Sequence, residues 1–164
     1  MTKYPRIWIA AHGGPLEAAQ LHDAPPEVLY ILATFPDKAV RRHVAQNPST
    51  SVKLLELLAT DEDVWVLKRV VENRHSPVAL LRKAWESAQG NPNAWAVLVA
   101  LGKSSRTPED ILREVAVSDS VVAREAAAAN PNMPEDVLRE LLGDVEQVVQ
   151  KEAYDNLDRR ELLI

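Results

Sequence analysis

A phrase that returns every 26 residues constrains this chain more than any other feature. Asn47, Asn73, Asn130 and Asn156 mark its opening, with 26 residues between the first two and again between the last two. Self-similarity at a fixed period of this size is the signature of stacked supersecondary units, each too small to bury its own apolar face. With Asn47 as origin, the repeats span 21–46, 47–72, 73–103, 104–129 and 130–155. The third has 31 residues where the others have 26. Residues 1–20 do not fit the phrase and are expected to cap the first repeat's open apolar side. A second stub, 156–164, follows the last repeat.

Each repeat reads as two helices. The first opens on start chemistry such as Thr107-Pro108-Glu109-Asp110, where Thr is the expected N-cap and Pro the first helical residue. Apolar pairs one turn apart follow, as in Leu54/Leu55 with Leu58/Ala59 and Ile111/Leu112 with Val115/Ala116, which makes one buried stripe. An acidic turn comes next, and Asp37, Asp63 and Ser120 fall where they can cap the second helix. That helix keeps apolar residues four apart, from Val40/Val44 to Val149/Ala153. The recurring Asn then marks the exit. Asn tolerates a left-handed cap conformation, Pro48 and Pro131 stop the helix, and a column of Asn side chains can satisfy neighbouring backbone groups.

The stretches NPSTSVKLLELLATDEDVWVLKRVVEN and SSRTPEDILREVAVSDSVVAREAAAANPNMPEDVLRELL resemble the variant leucine-rich repeat (LRV) family, which joins Asn-Pro, Thr-Pro, the Leu spacing and an acidic turn in one register. The resemblance covers residues 21–155. It implies an all-α solenoid, a right-handed superhelix of about five two-helix repeats akin to HEAT and armadillo arrays. The family's founding member also bears an N-terminal Cys cluster for an Fe–S centre. This chain has no Cys, so that cofactor does not carry over, and no other cofactor is expected. The family as such implies no catalytic activity.

The remaining chemistry is sparse. No nucleophile, phosphate-loop or dinucleotide motif is present, and His12, His22, His43 and His75 lack metal-ligand spacing. The expectation is therefore no enzyme and no metal. No apolar run approaches a membrane span or a signal peptide, so a cytoplasmic protein, bacterial in style, is expected. A net charge of −5 disfavours nucleic acid.

Departures from the phrase direct attention to a surface. The third repeat's extra residues lie within 85–95, WESAQGNPNAW, where Gly-Asn-Pro-Asn stops a helix. The repeats carry net charges of 0, −2, +3, −2 and −5 in order. Placing the four-apart residues inward leaves Arg42, His43, Trp65, Lys68, Arg69 and Val99 outward on the second helices, with Trp95 near the start of one. Trp and Arg are enriched at interaction hot spots, so these seven residues are the candidate partner-binding set. Arg41, Arg42, Lys68 and Arg69 equally suit pairing with turn carboxylates of a neighbouring repeat. The leading reading is a non-enzymatic scaffold for a protein or peptide. The alternatives are a nucleic-acid solenoid similar to HEAT-like DNA glycosylases, and a self-associating module or homo-oligomer packed through residues 126–129 and the tail Leu162, Leu163 and Ile164.

Overall fold

The computed structural model describes residues 4–161, which form twelve α-helices and no strand. The apolar tail of residues 162–164 lies outside the described residues. The chain divides into two compact units, Met1–Gln89 and Gly90–Ile164. The first holds α1 (Pro5–Ala11), α2 (Pro15–Gln20), α3 (Pro26–Ala33), α4 (Lys38–Gln46), α5 (Val52–Leu58), α6 (Val64–Glu72) and α7 (Val78–Ala88). The second holds α8 (Trp95–Lys103), α9 (Glu109–Ala116), α10 (Val121–Ala128), α11 (Glu135–Leu141) and α12 (Gln147–Glu161). The unit boundary falls within the 85–95 stretch, after α7 ends at Ala88 and where Gly90 takes a φ of 77° that favours glycine.

Within each unit the helices stack in two layers, as in a helical-repeat solenoid. In the first, α2, α4 and α6 pack in succession, with α1, α3 and α5 against them and α7 against α6. In the second, α8, α10 and α12 pack in succession beside α9 and α11. The apolar spacing explains why. Val28, Leu29, Leu32 and Ala33 of α3 are buried, as are Leu54, Leu55 and Leu58 of α5 and Ile111, Leu112, Val115 and Ala116 of α9. Every four-apart pair of the second helices is buried too, down to Ala123/Ala127 and Val149/Ala153. Burial of one large side chain stabilises by roughly 1.5–3 kcal/mol, so each helix pair is stable only with its neighbours. Ala18 and Ala19 of α2 are fully buried, with Trp8 and Leu16 packed on the same core. The pair α1–α2 thus covers the apolar side of α3 and α4.

The Asn column works differently from the cap role read in the sequence. Asn47 and Asn73 have φ near −65° and extended ψ, and among the described residues no residue other than glycine has positive φ. Their side chains instead reach back one repeat. Asn47 Nδ2 donates to the carbonyls of Ala19 and Leu21, both at 2.9 Å. Asn73 Nδ2 donates to Ala45 at 2.8 Å and Asn47 at 3.1 Å, and Asn130 reaches Gly102 and Ser104 in the same way. The Oδ1 of each accepts the backbone N–H two residues on, from Ser49, His75 and Asn132. Asn156 keeps the backward bonds, to Ala128 and Asn130, yet sits inside α12 rather than at a helix exit. Leu157, which a helix accommodates, follows it where Pro48 and Pro131 follow Asn47 and Asn130.

Thr107 also departs from expectation. Pro108 holds the N-cap position of α9, and the buried Thr107 hydroxyl donates to Leu101 O of the preceding helix at 2.7 Å. Thr50 does the same to Val44 O and Ser76 to Val70 O, closing the last turns of α4 and α6. The cap assignments for the second helices do hold, with side chains of Asp37, Asp63 and Ser120 accepting from first-turn N–H groups.

The Asn47→Ala variant should lose about 1–3 kcal/mol of stability in urea unfolding, because three backbone groups, one buried and two partly buried, lose their partner at once. Asn93→Ala, in an exposed turn, should stay within about 0.5 kcal/mol of the parent.

Candidate functional site

The second helices carry the variable positions of the repeat, and their N-terminal turns carry its charges. Arg41 and Arg42 lie side by side on α4. Arg41 Nε and Nη2 donate to the Asp61 carboxylate at 2.7 and 3.0 Å, while Nη1 donates to the carbonyls of Phe35 and Pro36. Arg42 grips Asp63 with Nε at 2.8 Å and Nη2 at 2.7 Å, and Asp63 at the same time caps α6. The fork of a guanidinium matches both oxygens of a carboxylate, which makes these pairs directional as well as ionic.

The same arrangement recurs in the second unit. Arg124 of α10 donates to Asp144 at 2.7 and 3.0 Å, and its Nη1 to Ser118 O, six residues back, as Arg41 does to Phe35. Both partners are shielded, with side-chain exposures of 12% and 7%. The hydrogen bond from Arg124 holds the Asp144 carboxyl below the usual carboxylate range, and that same bond raises the Arg124 guanidinium. Where the Arg position is Leu98, the corresponding acid position is Ser118, whose Oγ is buried without a hydrogen-bond partner among the described residues. Cation and anion are exchanged for neutral residues together.

The seven candidate residues divide by environment. Arg42 is tied to Asp63. Lys68 and Arg69 share Glu72, at 2.6 and 2.9 Å. The structure brings these cations, with half-buried His43 and Trp65, onto the stacked helices α4 and α6. His43 lines a depression of about 260 Å³ with His22 and Gln46. Trp95 is 42% exposed at the start of α8, but Val99 is 8% exposed and thus buried, contrary to the sequence reading. Ala96, Ala100 and Ala126 are buried with it. The reason is the close approach of α8 to α10. A Cβ on Gly102 would lie 2.9 Å from both the Ala126 Cβ and the Ala127 N, so only glycine permits the contact.

This approach shapes a groove that the sequence did not reveal. About 390 Å³ in volume, it runs over the second helices of the second unit, from Gly102 and Lys103 of α8, across Val122, Glu125, Ala126 and Ala129, to Glu152 of α12. Small side chains form its floor and carboxylates its α12 side. The signal available in the sequence was the Gly102 and 126–129 run of small residues. Its meaning depended on knowing that α8 and α10 touch.

Among the described residues no group of three or more His, Cys, Asp or Glu is placed to hold a metal ion, and no helix is long and apolar enough to cross a membrane. The model of the leucine rich repeat variant family matches residues 39–63. That span runs from the first turn of α4 through the Asn47 turn and α5 to the Asp61–Asp63 turn, so it contains both ends of the Arg41–Asp61 and Arg42–Asp63 pairs. A leucine rich repeat variant unit is a structural repeat, and the match supports a repeat scaffold. No curated protein and no solved structure matches the chain.

The Arg124–Asp144 bond makes a prediction with a definite sign. A depressed carboxylate contributes its stability above the unfolded-state pKa of about 4 and loses it as pH falls through the folded value. Asp144→Asn should therefore cost about 1–3 kcal/mol near pH 7, and the gap from the parent should close as the pH drops below about 4. Urea midpoints measured across that range test it; a gap that persists at low pH would remove the ion pair as its origin.

Proposed function

We propose that this chain is a non-enzymatic repeat scaffold that holds a protein or peptide along the outward face of its second helices. The groove over α8, α10 and α12 carries the reading, because a second-helix face is there both recessed and apolar-floored. Backbone groups around it are committed to helix ladders and to the Asn column, so recognition falls to side chains. Helical grooves of this kind take anchoring side chains from a partner, with affinity set by a few buried contacts.

The first unit offers a different face. Its cations Arg42, Lys68 and Arg69 are already held by Asp63 and Glu72, and a partner docking there must compete with those carboxylates. Residues 90–164 hold eight Lys and Arg against fourteen Asp and Glu, a net charge of −6. That balance opposes a phosphate backbone and favours a protein ligand over the nucleic-acid alternative.

A photo-reactive amino acid placed at Val122 or Lys68, on second helices, tests the face against Glu140 on α11. In extract of the source cell, discrete adducts should form from Val122 and be absent from Glu140. Adducts from Glu140 alone would transfer the binding face to the first helices and sink this reading.

A further inference from the structure

We infer that the groove over α8, α10 and α12 accepts a protein segment bearing arginine or lysine, its cation seated between Glu125 and Glu152 and an aliphatic neighbour on the floor of Val122, Ala126 and Ala129. This rests on the scaffold reading above and specifies the partner's chemistry. Glu125 is half-buried beside an apolar floor, and among the described residues its side chain makes no hydrogen bond or ion pair. Glu152 has a side chain 31% exposed and only a 3.9 Å contact with Lys151, whose closer partner is Asp155 at 2.5 Å.

Shielded carboxylates elsewhere on these helix layers are matched. Asp61, Asp63 and Asp144 each receive an arginine fork. Glu125 and Glu152, on adjacent stacked helices, line one groove without one. A carboxylate partly removed from water and left without a cation is unfavourable, and a ligand cation recovers that cost on binding. Among the described residues the sole cation lining the groove is Lys103, exposed at the α8 side, so the ligand's positive end lies toward α12. The unit's net charge of −6 draws a cationic segment in at longer range, while the small floor residues admit an aliphatic side chain close to the helix backbone.

Fluorescence anisotropy with a short labelled peptide alternating leucine and arginine provides the test, alongside the same peptide with citrulline for arginine. The arginine peptide should bind saturably to the full chain, and the citrulline peptide at least about tenfold more weakly. The Glu125→Gln/Glu152→Gln variant should lose about tenfold or more. Glu114→Gln/Glu140→Gln, which removes the same charge from exposed first-helix positions, should change affinity less than about twofold. Circular dichroism melting establishes that each variant is folded. Equal losses in the two variants, equal binding of the two peptides, or no binding of the arginine peptide would each overturn the inference. If both peptides bind equally and Ala129→Leu blocks them, the scaffold reading stands and only the cationic class falls. If neither binds and Val122 yields no adduct, both fall.

Discussion

A primary amide held between two backbone carbonyls of the preceding repeat is the interaction on which the rest of this structure depends. Apolar stripes drive helices together but are non-directional, and a stripe of Leu and Val tolerates sliding by a turn. The Asn47 and Asn73 amides do not. Each has two N–H donors and one acceptor oxygen of principal use, and the structure spends both donors backward and the oxygen two residues forward. Aspartate lacks the donors, and serine lacks the reach to join two carbonyls. The distances along the chain, 26 and 28 residues, are thereby written into hydrogen bonds as well as into packing. The extra length of the third repeat goes mostly into α7, which has 11 residues where α5 has 7, so the turn sequence read as a longer loop lengthens the first helix instead.

The second helices are pinned at their other end by charge. Asp61 and Asp63 sit at the start of α6 and are gripped by Arg41 and Arg42 of α4, while Asn73 anchors the end of α6 to the end of α4. Shielded ion pairs contribute little net stability against an apolar substitute, but they penalise any arrangement that separates them. The Leu98 and Ser118 positions show the substitute in place, with both charges absent together. Ion pair and amide therefore divide the work: packing supplies most of the free energy, and these directional contacts select one stacking register from the several that packing alone would allow.

Much of this was legible in the sequence, and what was not has identifiable causes. The buried stripes of α3, α5 and α9 follow directly from i, i+1, i+4, i+5 spacing, because a helix that faces one neighbour has one face to fill. Asp63 as a cap was legible because capping is local. That Arg42 pairs with a turn carboxylate of the neighbouring repeat was legible as well, but which carboxylate, Asp63 at 21 residues, depends on the stacking offset, which local patterning does not carry. Thr107 was misassigned because a hydroxyl before proline serves equally well as a cap or as a donor to the helix behind it, and only the fold distinguishes them. The error at Val99 has the same origin. A second helix in the middle of a layer packs on both sides, so four-apart spacing marks only part of what it buries, and Gly102 draws α10 closer still.

This division of labour leaves a narrow set of positions free to acquire function. First-helix stripes, turn acids and the Asn column are committed to the stack, and changing any of them costs register or core. The outward second-helix positions contact no such constraint, yet in the first unit their cations Arg42, Lys68 and Arg69 are already neutralised within the chain. Glu125 and Glu152 differ because, among the described residues, their side chains receive no arginine: Arg124 is spent on Asp144, Arg139 on Glu135, Arg113 on Glu109 and Asp136, Arg159 on the Asp155 carbonyl and Arg160 on Asn156. Charge left over after a repeat has satisfied its own register is charge available to a partner, and in this chain that surplus is anionic and gathered over a floor of small side chains.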